Sequence, residues 1–259
     1  MNNSELLSQT LAILRNKKAG KKITKRFEAF TYEYAELKKS FALTFPEIAS
    51  KIWRSGTAIG AQITMEVMAF AAGAIMIGWI GTTELAAHQI ALNIASVTFM
   101  IALAFGSAST ITVARECGRG NWQDVRTEAF TALGLVALYE IATAIVLLIG
   151  RWLLPDVYID DATTIHVASV LLIYAAVFQV FDGLQAVGMG ILRGLDDTKV
   201  PTIIAFCAYT IVALPLGYFL STRTSLQEEG VWIGYVTSLI LASAGYIWRI
   251  HYKTKKGQV

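Results

Sequence analysis

Charge is scarce in this sequence, and so are the residues that build most catalytic and metal centres. Asp, Glu, Lys and Arg together make up 16% of the chain, against about 25% in ordinary globular domains. Among 259 residues there are two cysteines and three histidines. Cys117 stands in a basic, polar stretch and Cys207 in an apolar one, so neither a disulfide framework nor a cysteine-based zinc site is expected. No nucleophile–base pair and no phosphate-binding glycine loop is apparent, which argues against an enzyme and against any bound cofactor. Gly188-x-Gly190 lies inside an apolar run and follows no strand, so it is not a dinucleotide fingerprint. The first fifty residues lack the apolar core of a cleavable leader. Insertion into a membrane is therefore expected to be driven by the apolar runs themselves. Nothing in the pattern points to nucleic acid.

What the sequence does have is apolar residues, at 55%, with a mean hydropathy of +0.52. They gather in long runs. A bilayer core about 30 Å thick needs roughly 20 mainly apolar residues per helical crossing. Six segments meet that length: residues 57–80, 86–114, 129–150, 163–192, 200–220 and 231–248. The runs are too long and continuous for barrel strands, which alternate over about ten residues. The fold class is an all-α integral membrane protein with six transmembrane helices. Of the 22 Lys and Arg residues, all but Arg151 and Arg223 fall on the side that holds the N-terminus. The positive-inside rule then puts both termini in the cytoplasm. The chain divides into a basic cytoplasmic segment (1–54), a six-helix membrane lobe (55–252) and a short cytoplasmic tail (253–259). Residues 15–26 (RNKKAGKKITKR) form a solvated linker or meet anionic lipid headgroups. Residues 45–54 (FPEIASKIWR) read as an amphipathic helix at the inner interface. Pro215 is expected to kink the fifth span, and the small residues around 106–109 and 188–190 to allow close helix packing.

Ionisable groups are costly in hydrocarbon, so each is a candidate functional residue. Three acids qualify: Glu66, Glu140 and Asp182. Glu66 lies roughly 14 Å and Asp182 roughly 15 Å from the cytoplasmic ends of their spans, at about 1.5 Å per residue. Two carboxylates at one depth on different helices could share a cation. Gln62 and Glu66 share a helix face. Gln179, Asp182 and Gln185 repeat every three residues, and Gln89, Asn93 and Ser96 form a third polar stripe. Such stripes face protein or a water-filled chamber rather than lipid. Paired carboxylates in a low dielectric cannot both stay ionised cheaply. The pair would hold a proton or a sodium ion and titrate as a unit. Glu140 stands among apolar residues without a polar stripe, and a packing hydrogen bond is the simpler reading there. His88 and His166 fall near outer span ends, where interfacial hydrogen bonding is expected, with a proton relay as the alternative. Trp53, Trp79, Trp152, Trp232 and Trp248 read as interfacial anchors. Met65, Met68, Phe70, Met76, Phe99 and Met100 line a binding cavity or simply pack.

Several ordered segments resemble the C-terminal half of transporters of the MATE (multidrug and toxic compound extrusion) family. They are GTAIGAQITMEV (56–67), AAHQIALNIASVTFM (86–100), FDGLQAVGMGILRGLDDTKVP (181–201), ALPLGYFL (213–220) and GVWIGYVTS (230–238). The resemblance covers about residues 55–252. It implies one six-helix lobe of a twelve-helix fold, a pseudo-two-fold partner lobe, and rocking-type exchange of organic, often cationic compounds for sodium ions or protons. It puts the family's two lobe acids on Glu66 and Asp182. Phe178 stands where sodium-coupled members often have tyrosine, and Ala58 where a proline is common.

The function expected from the sequence is therefore a cation-coupled exporter of organic drugs in the inner membrane, present as its C-terminal half. Its partners would be membrane lipid, a drug substrate, and either an N-terminal lobe or a second copy. The alternatives are a non-transporting remnant or scaffold, and a lipid-linked sugar flippase of the wider superfamily.

Overall fold

A computed structural model describes residues 45–257. The basic run of residues 15–26 lies outside the described residues. The elements are α1 (Phe45–Gly78), α2 (Thr82–Gly118), α3 (Trp122–Gly150), the short α4 (Leu153–Asp156), α5 (Ala162–Gly194), α6 (Lys199–Phe206), a π-helical segment (Cys207–Ala213), α7 (Leu214–Arg223) and α8 (Gln227–Lys256). Among the described residues, six helical stretches are long and apolar enough to cross a membrane. Within hydrocarbon the helix is the economical choice, because it satisfies every backbone polar group inside one segment.

The helices run past the apolar windows at both ends. The third begins at Trp122 rather than 129, because Asn121 caps it by accepting from the Asp124 backbone N–H. The fifth element begins where Asp161 accepts from the backbone N–H of Thr164 at 2.8 Å and from its hydroxyl at 2.6 Å. These are N-caps that satisfy otherwise orphaned donors. Residues 45–54, expected as a separate interfacial helix, belong to the same element as the first span. After Pro46, in the first turn, no proline follows before Gly78 to stop that helix.

The fifth span shows the consequence of Pro215. Proline has no N–H, so the carbonyl of residue 211 loses its ordinary partner. The ladder re-registers just upstream, where the Leu214 backbone N–H reaches the Tyr209 carbonyl, five residues back. The expected kink is thus a π segment over Cys207–Ala213, a form frequent at functional sites.

α5 is the central helix and packs on α2, α3 and α8. Its crossing with α2 is a backbone-to-backbone contact. A Cβ built on Gly190 would lie 2.2 Å from the Gly106 carbonyl oxygen, and one on Gly106 would lie 2.9 Å from that of Ala186. The Thr110 hydroxyl donates across the same crossing to the Gly190 carbonyl at 2.9 Å. Small residues at membrane helix contacts serve this kind of approach.

The buried apolar residues form two clusters. One holds Ala91, Leu172, Phe178, Tyr209, Trp232 and Leu239, and the other Ala102, Val136, Val187, Leu192, Tyr246 and Ile250. Along α5, Gln179, Asp182 and Gln185 belong to neither cluster, and along α3 neither does Glu140. A polar band therefore crosses the bundle between two apolar layers. Outside, Ile63, Val67, Ile111, Leu138, Ile149 and Phe219 are exposed, an apolar exterior suited to lipid.

Two groups depart from the interfacial reading. Trp232 is fully buried, while Trp53, Trp79, Trp152 and Trp248 are exposed. His88 is also fully buried, with no hydrogen-bond partner at either ring nitrogen. It packs on Trp232 and Tyr235. Position along a span gives depth but not which way a side chain faces, and both of these face the bundle interior. His166 is exposed and lies against Trp152, as an interfacial residue would.

Candidate ion-coupling site

α1, α2 and α5 meet around a cavity of about 210 Å³, lined by Glu66, Phe70, Leu92, Ala95, Ser96, Phe99, Phe178 and Asp182. Glu66 and Asp182, from different helices, thus share one wall. Asp182 is almost fully buried and Glu66 half-buried. Asp182 lies within electrostatic reach of Glu66 and of Glu140. Arg193, from the last turn of α5, is a cation within reach of Glu66.

Two tyrosines hold the band together, and no sequence pattern signals either. Tyr209, in the π segment, donates to Gln185 Oε1 at 2.8 Å and lies within electrostatic reach of the Glu66 carboxyl. Gln62 Nε2 donates to the Tyr246 hydroxyl at 2.6 Å, and that hydroxyl donates to the Pro201 carbonyl at 3.2 Å. The side chains of Gln62, Gln179 and Gln185 are buried. Gln179 accepts from the Thr98 hydroxyl at 3.0 Å and donates to Thr143 Oγ1 at 2.5 Å.

The five polar residues expected to line the chamber do not line this cavity. Gln62, Gln179 and Gln185 are spent on interhelical hydrogen bonds, the way buried amides avoid an unpaired polar group. Gln89 and Asn93 are exposed, and Asn93 accepts from the Tyr158 hydroxyl at 2.8 Å. Of that stripe only Ser96 borders the cavity. Phe70 and Phe99 line it too, whereas Met68 and Met100 point outward and Met76 joins the apolar core. Phe178 is on the wall, with no hydroxyl to offer. Among the described residues, no group of three or more His, Cys, Asp or Glu side chains is arranged to hold a metal ion.

The sequence matches the MatE family over residues 58–219. The chain belongs to the MatE family. It is 39% identical over 193 residues to the probable multidrug resistance protein NorM of Xanthomonas axonopodis pv. citri, a match covering 74% of this chain and 42% of that protein. To the multidrug resistance protein NorM of Burkholderia vietnamiensis it is 38% identical over 207 residues, covering 78% and 44%. The fold is that of solved MATE transporters. The eukaryotic MATE transporter AtDTX14 superposes with a TM-score of 0.75 at 17% identity, over 84% of this chain and 50% of that one. The bent form of the Vibrio cholerae MATE transporter VcmN gives 0.76 at 14% identity, over 83% and 48%. The chain thus spans less than half the length of these curated relatives. This MatE chain is a multi-pass membrane protein with the architecture of one transporter lobe.

Proposed function

We propose that this chain is the C-terminal lobe of a cation-coupled multidrug exporter, with Glu66 and Asp182 as the groups that bind and release the coupling ion. One observation carries the reading: two acids on different helices line one cavity between α1, α2 and α5. The multidrug-resistance names of its relatives support organic drugs as the substrate class. The asymmetry of Lys and Arg supports cytoplasmic termini in the inner membrane. At about 210 Å³ the cavity falls below the roughly 300 Å³ at which drug-sized pockets begin. It suits an ion and a few waters. The drug would bind where this lobe meets a second one, and the exposed stripe of Gln89, Asn93 and Ser96 on α2 would form part of that cleft wall.

The donor set favours a proton over sodium. A hard cation wants a shell of oxygens, and the wall offers two carboxyls and one serine hydroxyl among phenylalanine, leucine and alanine. The test is dye efflux from cells that co-express this chain with an N-terminal lobe. Glu66→Gln and Asp182→Asn are each expected to abolish acid-driven efflux. Unchanged efflux in both variants refutes the assignment. Efflux that follows a sodium gradient but ignores a proton gradient refutes the choice of ion.

A further inference from the structure

Glu140 of α3 is fully buried. Its Oε2 accepts from the Thr143 hydroxyl at 2.9 Å, and its Oε1 has no hydrogen-bond partner. It sits in a notch made by Gly183, the neighbour of Asp182 in sequence. A Cβ on Gly183 would lie 2.6 Å from Glu140 Cγ and 2.8 Å from Oε1. A glycine at that one place lets the carboxyl lie against the α5 backbone beside Asp182.

This is not the arrangement of a packing residue. The side-chain bond of Glu140 runs within its own helix, three residues along. The bonds that tie α3 to α5 are made by Gln179, to Thr143 Oγ1 and to the Glu140 backbone carbonyl at 3.5 Å. Neither needs a carboxyl at position 140. An ionised group with an orphan oxygen is expensive to bury, so this acid calls for another explanation.

We propose that Glu140 is a second proton-binding carboxyl of this lobe, loaded from the cavity through Asp182. The proposal rests on the coupling role given above to Asp182. In the step, the O–H bond of a protonated Asp182 breaks and one forms at Glu140 Oε1. The negative charge passes from Glu140 to Asp182, and no other bond changes. The titratable groups facing Glu140 are Asp182 from α5 and Tyr139 from its own helix. Beyond Asp182 lie Glu66 on α1 and Arg193 at the end of α5. Among the described residues no basic side chain from α2 or α8 faces Glu140, so a proton is what can cancel its charge. A metal ion would need several oxygens, and Glu140 has one free and is off the cavity wall.

The test uses the 259-residue chain in lipid nanodiscs and infrared difference spectra across a pH step. Wild type is expected to show a carboxylic-acid carbonyl band that Glu140→Gln removes, with one fewer proton bound per chain. Glu140→Asp keeps the carboxyl and is expected to shift the band rather than remove it. Should the Gln variant fail to fold, wild type against Asp makes the same comparison. In Asp182→Asn the Glu140 band is expected to exchange its proton for deuterium at least tenfold more slowly. A proton count and spectrum unaltered by Glu140→Gln, or no band shift in Glu140→Asp, overturns the proposal. Loss of coupling in the Glu66 and Asp182 variants alongside a silent Glu140→Gln sinks this inference alone. Silence in the Glu66 and Asp182 variants sinks the reading beneath it.

Discussion

Gly190→Ala tests whether α2 and α5 cross backbone against backbone. The added Cβ would lie 2.2 Å from the Gly106 carbonyl oxygen, 2.8 Å from its carbon and 3.0 Å from its Cα. All three are backbone atoms of a helix interior, which no rotamer change can move. The first distance is more than an ångström short of ordinary contact, so the helices must separate by about that much. Separation also stretches the Thr110 bond to the Gly190 carbonyl, now 2.9 Å. Overpacking a close contact costs about 1–3 kcal/mol, and the lost bond adds about 1 kcal/mol. At roughly 2–4 °C per kcal/mol for a chain of this size, apparent melting in detergent should fall by several degrees. Gly134→Ala is the control: Gly134 has no atom near its missing Cβ, and alanine favours helix by about 1 kcal/mol. Melting of Gly190→Ala equal to or above that of Gly134→Ala would refute the backbone contact.

Tyr209→Phe leaves Gln185 Oε1 without its donor and removes a hydroxyl within reach of Glu66, at about 1–2 kcal/mol. A drop of a few degrees in apparent melting and a several-fold loss of efflux are expected, and full efflux would detach Tyr209 from coupling. Pro215→Ala restores an N–H for the residue 211 carbonyl, a backbone bond worth about 1 kcal/mol. It should raise thermal stability while lowering efflux, because an ordinary α-helical ladder turns Tyr209 away from Gln185; higher stability with unchanged efflux would show the π segment to be idle. Asp161, at the start of α5, is held below its usual pKa by the Thr164 hydroxyl and backbone N–H. A depressed carboxyl stabilises the fold above the unfolded value of about 3.9 and loses that contribution as pH falls through the folded value. Asp161→Asn should lack this acid limb in melting measured against pH, and an identical limb in both proteins would count against the cap.

Hydropathy made the six spans legible because the bilayer demands length and apolarity, and both can be read from one chain. Depth was legible for the same reason, and it brought Glu66 and Asp182 to one level before any contact was known. Facing was not. His88 and Trp232 sit near span ends in sequence, yet both turn into an aromatic cluster with Tyr235 and Phe178. Gln62, Gln179 and Gln185 keep helical spacing with the acids, but spacing cannot tell a cavity wall from an interhelical hydrogen bond. Glu140 was discounted for lack of a polar stripe. Its partner is the absence of a side chain at Gly183, on a helix some forty residues away, which no local pattern records. The helix ends were misjudged because caps such as Asn121 and Asp161 lie in polar sequence, where hydropathy has already fallen.

The distribution of polar groups has a mechanical consequence. Glu66, Asp182, Glu140, Arg193, Tyr209 and Tyr246 all belong to this lobe, and the cavity that Glu66 and Asp182 line measures about 210 Å³. Under the proposed function, ion binding would be a property of one lobe and drug binding a property of two. Exchange would then require that filling the small site alter the surface offered to the other lobe. Within the bundle most contacts are stiff: the α2–α5 crossing is backbone against backbone, and two apolar layers clamp the band from either side. The π segment is the exception. Its backbone bonds are already re-registered, and it carries Tyr209, whose hydroxyl donates to Gln185 within electrostatic reach of Glu66. An ionised Glu66 is expected to compete with Gln185 for that hydrogen. When Glu66 carries a proton it can donate instead, leaving Tyr209 bonded to Gln185. Under the proposed coupling, one proton at Glu66 would thereby select α1 or α5 as the partner of the π segment.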